Sequence, residues 1–354
     1  MTTQTSSRKL DHLRLCAEQD VVFGDAGFGD VRLVHNALPE CSLDEIDTRV
    51  NFLGHRLASP LFIAAITGGH PGTTEINRTL AAAAESRGLA IGVGSQRAAL
   101  EDASLEDSFR VVRDTAPHAF VAGNLGAAQL VSYGVEGAER AVEMIDADAL
   151  CIHLNFLQEA IQPEGDRSAA GVLAAIRETA HELSVPVIVK ETGSGISRET
   201  AASLFAAGCA ALDVGGFGGT SWARIEGLRA GDKTAQTLGR TFLEWGIPTA
   251  VSVFEVAQVK SGPVICTGGL HTGLDIAKAA ALGADMGGMA LALLTPALAG
   301  TDALCAKIDA VIRELRTAMF LTGAQNMEAL AHVRYYLTGN VWEMTENKNS
   351  RKMI

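Results

Sequence analysis

One module recurs along most of this chain and narrows what it can fold into. A short apolar run ends in glycine or a polar residue, and an amphipathic helical pattern follows it. The runs fall at residues 61–65, 89–93, 119–122, 149–154, 186–189, 210–214, 263–266 and 285–290. Each is too short for a helix and reads as a strand buried on both faces, the habit of parallel sheets. Helical patterns lie between them, among them 74–87, 135–145, 168–183, 199–207 and 273–282. The apolar stretch 248–259 competes for strand status, but it is 12 residues long and opens with Pro248, which suits a first helical turn. Eight alternating units predict an α/β fold of the closed (β/α)₈ TIM-barrel type, whereas a ninth strand would not close it. A Gly-x-Gly-x-x-Gly after the first strand or a Walker-type Gly-Lys-Ser/Thr would favour an open nucleotide-binding sheet, and neither occurs.

Residues 1–60 then form an N-terminal extension contributing to the substrate site, 61–340 the barrel and 341–354 a C-terminal tail. The polar ends, 1–7 and 346–354, are expected to fray. A hydrophobic fraction of 47% with 20% charged residues supplies a large core in a soluble protein. The formal net charge of −12 argues against nucleic acid, because that binding rests on basic patches. A small anionic substrate stays open, since a few Arg and Lys can reverse the field inside one cleft. The six cysteines are far apart and form no Cys-x-x-Cys pair, which suits reduced, buried thiols rather than a zinc or disulfide framework. With no apolar signal core and no run of 18 apolar residues, a cytoplasmic protein without a membrane partner is expected, as a homo-oligomer.

Barrels of this type draw their chemistry from the C-terminal strand ends. Polar residues and glycines gather at those positions here: Thr67-Gly68-Gly69, Ser95-Gln96-Arg97, Gly123-Asn124, His153 to Glu159, Lys190-Glu191-Thr192, Gly215 to Ser221, Thr267-Gly268-Gly269 and Gly287 to Leu291. A glycine after a strand is often only a turn residue. Successive glycines also let backbone N–H groups form an anion nest, and barrels usually bind phosphate in the loops after strands seven and eight. Gly268-Gly269 and Gly287-Gly288 are read as those loops, which points to a phosphorylated ligand without naming it. Lys190 closes an apolar strand. It suits a cation facing the pyrimidine edge of a reduced flavin, a Schiff-base lysine, or a structural ion pair, and position alone leaves all three open. His153 and Asn155 alternate onto one strand face, with Gln158 and Glu159 just beyond. Four polar groups in seven residues at a barrel mouth are too costly to be idle core.

At these residues the chain resembles the type 2 isopentenyl diphosphate isomerases, a family of FMN-containing (β/α)₈ barrels. The match runs through Arg8-Lys9, Asp11-His12, Thr67-Gly68-Gly69, Gly94-Ser95-Gln96-Arg97 and Gly123-Asn124-Leu125-Gly126. It continues with Lys190-Glu191-Thr192-Gly193, Gly218-Gly219-Thr220-Ser221-Trp222 and Glu226. The run from His153 to Glu159, with Pro163 to Arg167, is its most specific part. Family members often carry Met and Arg where this chain has Ile66 and His271.

The resemblance implies particular roles. FMN is expected at Thr67, Gly68, Ser95, Asn124, Lys190 and Thr220, with the backbone at Gly268, Gly269, Ala290 and Leu291. The substrate diphosphate is expected at Arg8, Lys9, Arg97, His153 and Asn155, with Ser95 or Gln96. Glu159 is expected to hold Mg²⁺, and Gln158 to face the reacting carbons, with Glu226 a second candidate for proton transfer. NADPH would prime the flavin without being consumed at each turnover. The implied reaction moves a double bond between isopentenyl and dimethylallyl diphosphate, with reduced flavin as acid–base partner. Three rivals remain: an FMN-dependent 2-hydroxy-acid oxidoreductase with His271 as its local base, a Schiff-base aldolase using Lys190, and a non-catalytic flavin or phosphate binder.

Overall fold

A computed structural model describes residues 4–346. Eight parallel strands close into a barrel. In chain order they are Leu61–Ile63, Ala90–Gly92, Val121–Gly126, Ala149–Leu154, Val187–Glu191, Ala211–Asp213, Val264–Cys266 and Met286–Met289. Strand eight pairs with strand one through Gly287 and Leu61, which removes both sheet edges. Each apolar run read from the sequence overlaps one of these strands, and strand five continues past its run to Glu191. Strand three runs further than expected, through Asn124 to Gly126, because strand four pairs with it as far as His153. Asn124 is thus a barrel-interior position, not a loop residue.

Alternation divides the core into two shells. Inward residues such as Ala90, Ala122, Ala149, Ile188, Ala211 and Ile265 form one cluster. Outward residues such as Ile91, Val121, Leu150, Val189 and Leu212 pack with the surrounding helices. The antiparallel hairpin Val50–Phe52 and His55–Leu57 puts Phe52 and Leu57 into the inner cluster. They join Phe62 and Phe120 there, so one end of the barrel is stoppered by large side chains and the opposite mouth is left for polar groups.

Local signals set the helices. Thr74–Arg87 stops at Gly88, whose φ of 59° permits the left-handed cap. Gly273–Leu282 begins with a reciprocal capping box between Thr272 and Asp275. The stretch 248–259 holds the helix Thr249–Ala257, with Pro248 as its N-cap. The pattern at 135–145 is the second half of a helix, Ala127–Ile145, that breaks at Gly134. The pattern at 168–183 shortens to Val172–Glu182. The N-terminal extension holds a helix, Gln4–Glu18, that its polar sequence did not signal. Val31–Leu33 pairs with Tyr335–Leu337, tying that extension to the far end of the chain. Residues 341–346 lie in the helix Gly339–Glu346, where Val341 is buried. The ends named above as frayed reach residues 1–3 and 347–354, which lie outside the described residues. No described helix is long and apolar enough to cross a membrane.

Candidate active site

All eight strand ends and the N-terminal helix line one cavity at the barrel mouth. One side of it is built for a phosphorylated aromatic group. Gly268 and Gly269 have φ of 107° and 77°, conformations that L side chains rarely adopt. A Cβ on either would also strike a backbone oxygen, of Gly216 or Gly218 respectively. Beside them begins the helix Leu291–Ala299, whose N-cap Ala290 supplies no side-chain cap, so its first N–H groups are free for an anion. Gly287 and Gly288, read above as loop residues, are buried inside strand eight. A Cβ on them would meet Ile276 and Thr267, so they serve close packing, although Gly288 reaches the cavity wall.

Thr67, Ser95, Asn124, Lys190 and Thr220 all line this cavity, as do Gly268, Gly269, Ala290 and Leu291. The Thr67 hydroxyl is buried and has no hydrogen-bond partner among the described residues, a state that calls for a ligand. Gly68 is the exception. It packs under Phe109, whose ring a Cβ would strike, and is not a lining residue. Gln96 also turns away. Its Nε2 donates to the Ala141 carbonyl at 2.7 Å and its Oε1 accepts from Asn124 N at 2.8 Å, so it braces strand three instead of meeting a diphosphate.

Asn124 fixes the histidine beside it. Its Nδ2 donates to the Val93 carbonyl at 2.9 Å, which leaves Oδ1 as the acceptor for His153 Nδ1 at 2.8 Å. His153 therefore carries its proton on Nδ1 when neutral. Burial, followed by the charges of Lys190, Lys9 and Arg8, holds its pKa down at about 3. Its free Nε2 can take a proton when an anion arrives.

The same cavity has a cationic wall from Arg8, Lys9 and Arg97. Burial, then the neighbouring charges of Arg8 and Arg97, lowers Lys9 to about 7, a sign that the three cations crowd one place. Arg97 is steadied by Glu101 at 2.8 Å and Asp166 at 3.6 Å. Arg8 Nε is buried without a partner among the described residues. This patch reverses the field of a chain with net charge −12 and suits a diphosphate.

A hydrogen-bonded chain leads from the cavity wall at Asn155 and Gln158 to Glu226, which is not itself a lining residue. Asn155 Nδ2 lies 3.0 Å from Glu159 Oε1 and 3.2 Å from Gln158 Oε1. Gln158 Nε2 donates to Glu226 Oε1 at 2.7 Å, and His12 Nε2 meets the same oxygen at 2.9 Å. Arg229 holds the other oxygen of Glu226 at 2.8 Å and also bonds Glu164. Glu226 is 1% exposed, and burial alone would raise its pKa. The hydrogen bonds from His12 and Gln158 and the charge of Arg229 outweigh that and hold it at about 2.

Glu159 Oε2 accepts from Gln162 at 2.9 Å and from the Asp166 amide at 2.7 Å. With the bond from Asn155 these occupy three of the roughly four lone-pair sites of a carboxylate, leaving one. No group of three or more metal-ligating residues occurs among the described residues. Glu159 therefore fits a single protein ligand to an ion held mainly by substrate oxygens and water, a common Mg²⁺ arrangement.

Sequence reasoning gave no role to His12, Trp222 and Thr267, which line the cavity as well. The spacing of Arg8, Lys9, His12 and Cys16 along one helix was the available signal for the first.

Fold and site together define an FMN-type (β/α)₈ barrel enzyme with a second, cation-walled anion site. Residues 153–336 match the family model of FMN-dependent dehydrogenases. By fold the chain is similar to a lactate oxidase of Pediococcus acidilactici, with a TM-score of 0.66 at 15% identity over 94% of this chain and 87% of that one. A mandelate oxidase variant with an FMN adduct gives 0.65 at 17%, over 92% and 95%. Much nearer in sequence is an isopentenyl-diphosphate delta-isomerase of Methanoregula boonei, 58% identical over 98% of this chain and 97% of that protein. Those of Halobacterium salinarum and Archaeoglobus fulgidus are 54% and 50% identical, covering 99% and 96% of this chain and 98% of each relative. The chain belongs to the isopentenyl-diphosphate delta-isomerase family.

Proposed function

We propose that this protein interconverts isopentenyl and dimethylallyl diphosphate with FMN as its resident cofactor. The observation that carries this reading is that three cations (Arg8, Lys9, Arg97), the Asn155–Gln158 pair braced by Glu226, the glycines Gly268 and Gly269, and Lys190 all meet at one cavity. Reduced FMN, when bound, supplies the acid–base chemistry that an unactivated alkene demands, without net redox change.

The protein's own residues do the rest. Thr67, Ser95, Asn124 and Thr220, with the backbone of Gly268, Gly269, Ala290 and Leu291, line the cavity and would hold the cofactor. Lys190, which lines the same cavity, would supply a positive charge that stabilises the reduced cofactor. Arg8, Lys9 and Arg97 bind the diphosphate, and His153 takes up a proton at Nε2 as the anion arrives. Glu159 anchors Mg²⁺ against the same diphosphate. Gln158, fixed at both ends of its amide, orients the isoprenoid carbons, and Glu226 holds it there. Trp222 and His12, edge-to-face at 5.1 Å, narrow the mouth and exclude water. NADPH serves as the priming reductant, and the working form is a cytoplasmic homo-oligomer whose residues 1–60 complete the substrate site.

The test is direct. Purified protein should be yellow and, once reduced anaerobically with Mg²⁺ present, should convert isopentenyl diphosphate to its isomer. A flavin-loaded, reduced preparation that leaves the diphosphate unchanged would end this reading.

A further inference from the structure

Asp213 sits where a carboxyl is hard to keep. It closes strand six and is 1% exposed. Alternation puts it on the same inward face as Ala211, just as it puts Lys190 on the face of Ile188. The two residues are register partners on neighbouring strands, Lys190 against Asp213. Oδ1 of Asp213 accepts from the Thr267 hydroxyl at 2.6 Å and the Gly215 amide at 3.3 Å. Oδ2 is buried and has no hydrogen-bond partner among the described residues. The other titratable groups that feel its charge, Cys151 and Cys266, have thiols pushed upward by burial and stay neutral. Burial pushes the Asp213 carboxyl upward, and the charge of Lys190 is the largest influence that opposes this and favours the ionised form.

A lone buried carboxylate is costly, and a buried cation is what offsets it. Lys190 and Thr267 line the cavity; Asp213 accepts from Thr267 and is in register with Lys190, whose Nζ donates to the Glu191 carbonyl at 3.0 Å. We propose that Asp213 is the internal counter-charge of Lys190, a positioning residue that sets how much positive potential Lys190 presents to a flavin seated above it. Thr267 completes the device, because its hydroxyl donates to one oxygen of the carboxylate and fixes its orientation. With both charges present, a neutral flavin is tolerated. Without the carboxylate, Lys190 would favour the reduced, negatively charged form more strongly.

The inference rests on the flavin reading and can fail separately from it. Asp213→Asn is isosteric and keeps an acceptor for Thr267, so a purely structural role would be preserved while the charge is lost. In the FMN-loaded protein, a dithionite titration against a reference dye should show the two-electron potential moving upward. The expected shift is at least about tenfold in the oxidised-to-reduced equilibrium, or about 30 mV. Asp213→Thr, neutral and smaller, replaces it if the asparagine variant does not fold. An unchanged potential in a flavin-loaded variant overturns the inference. So does loss of flavin from both variants, because Asp213 would then belong to the cradle or the core. A wild-type protein that takes up no FMN would instead sink the flavin reading itself.

Discussion

Gln158 donates its side-chain amide to Glu226 across 2.7 Å, although 68 residues separate the two in sequence. Its amide oxygen is engaged by Asn155, so the group has one orientation. An amide has no useful acid or base strength, and its value here is that it cannot turn. Replacing Gln158 with Leu keeps much of its volume and removes both bonds. We expect kcat to fall about a hundredfold or more, with modest change in KM and full flavin content. Arg97→Ala should do the opposite, raising KM for the diphosphate. Loss of substrate affinity with kcat intact in Gln158→Leu would show that the residue binds and does not orient.

Glu226 joins His12, Gln158 and Arg229 on one carboxylate. Because its folded pKa is depressed to about 2, its stabilising contribution is complete above the ordinary value of 4.5 and is lost as pH falls toward 2. It gives no ionisation limb between pH 5 and 8. Glu226→Gln should therefore reduce kcat with FMN retained and leave the shape of the pH profile unchanged. A missing acid or alkaline limb in that variant would reassign Glu226 as the titrating base.

Lys9 does titrate in the working range. Its pKa is lowered to about 7, so in the free enzyme it loses its charge as pH rises through that value. Diphosphate binding must then return a proton to it. The expected result is a fall in kcat/KM above pH 7 with kcat much less affected, since kcat/KM reports the free enzyme. Lys9→Arg should flatten that limb, because guanidinium stays charged. Persistence of the limb in Lys9→Arg would move the assignment elsewhere, with Glu191, raised by burial to about 7, the first alternative.

Glu159 offers one vacant lone-pair site, and no group of three or more metal-ligating residues occurs among the described residues. Mg²⁺ should thus bind weakly to the protein alone and tightly once diphosphate is present, a dependence visible by calorimetry. Glu159→Gln should raise the Mg²⁺ needed for half-maximal activity steeply. Full activity in excess chelator would remove the metal from the reaction.

Lys190→Ala should weaken FMN binding about ten- to a hundredfold, the scale of a lost charged hydrogen bond of about 1.5–3 kcal/mol. The flavin-free variant should fold but unfold at a lower temperature than the wild type, because the buried Asp213 carboxylate loses the cation that offsets it. Wild-type flavin content and potential in the folded variant would exclude it from the cofactor site.

The order of eight strands, the barrel class and most of the cavity wall followed from the sequence, because they depend on local periodicity. Short apolar runs, caps such as Thr272 and Gly88, and polar strand ends are all encoded within a few residues of where they act. What the sequence left undecided is which side chains meet. His12 and Glu226 are 214 residues apart, and only barrel closure under the Gln4–Glu18 helix brings them to 2.9 Å. Gln96 reads like its neighbours Ser95 and Arg97, yet the next turn directs it into the protein, where the Ala141 carbonyl and Asn124 amide need partners. Asp213 reads only as part of the run 210–214, since a single carboxyl inside an apolar run does not say what it faces. Register with Lys190 made it a candidate for charge pairing, and register is fixed by pairing across the sheet, not along the chain.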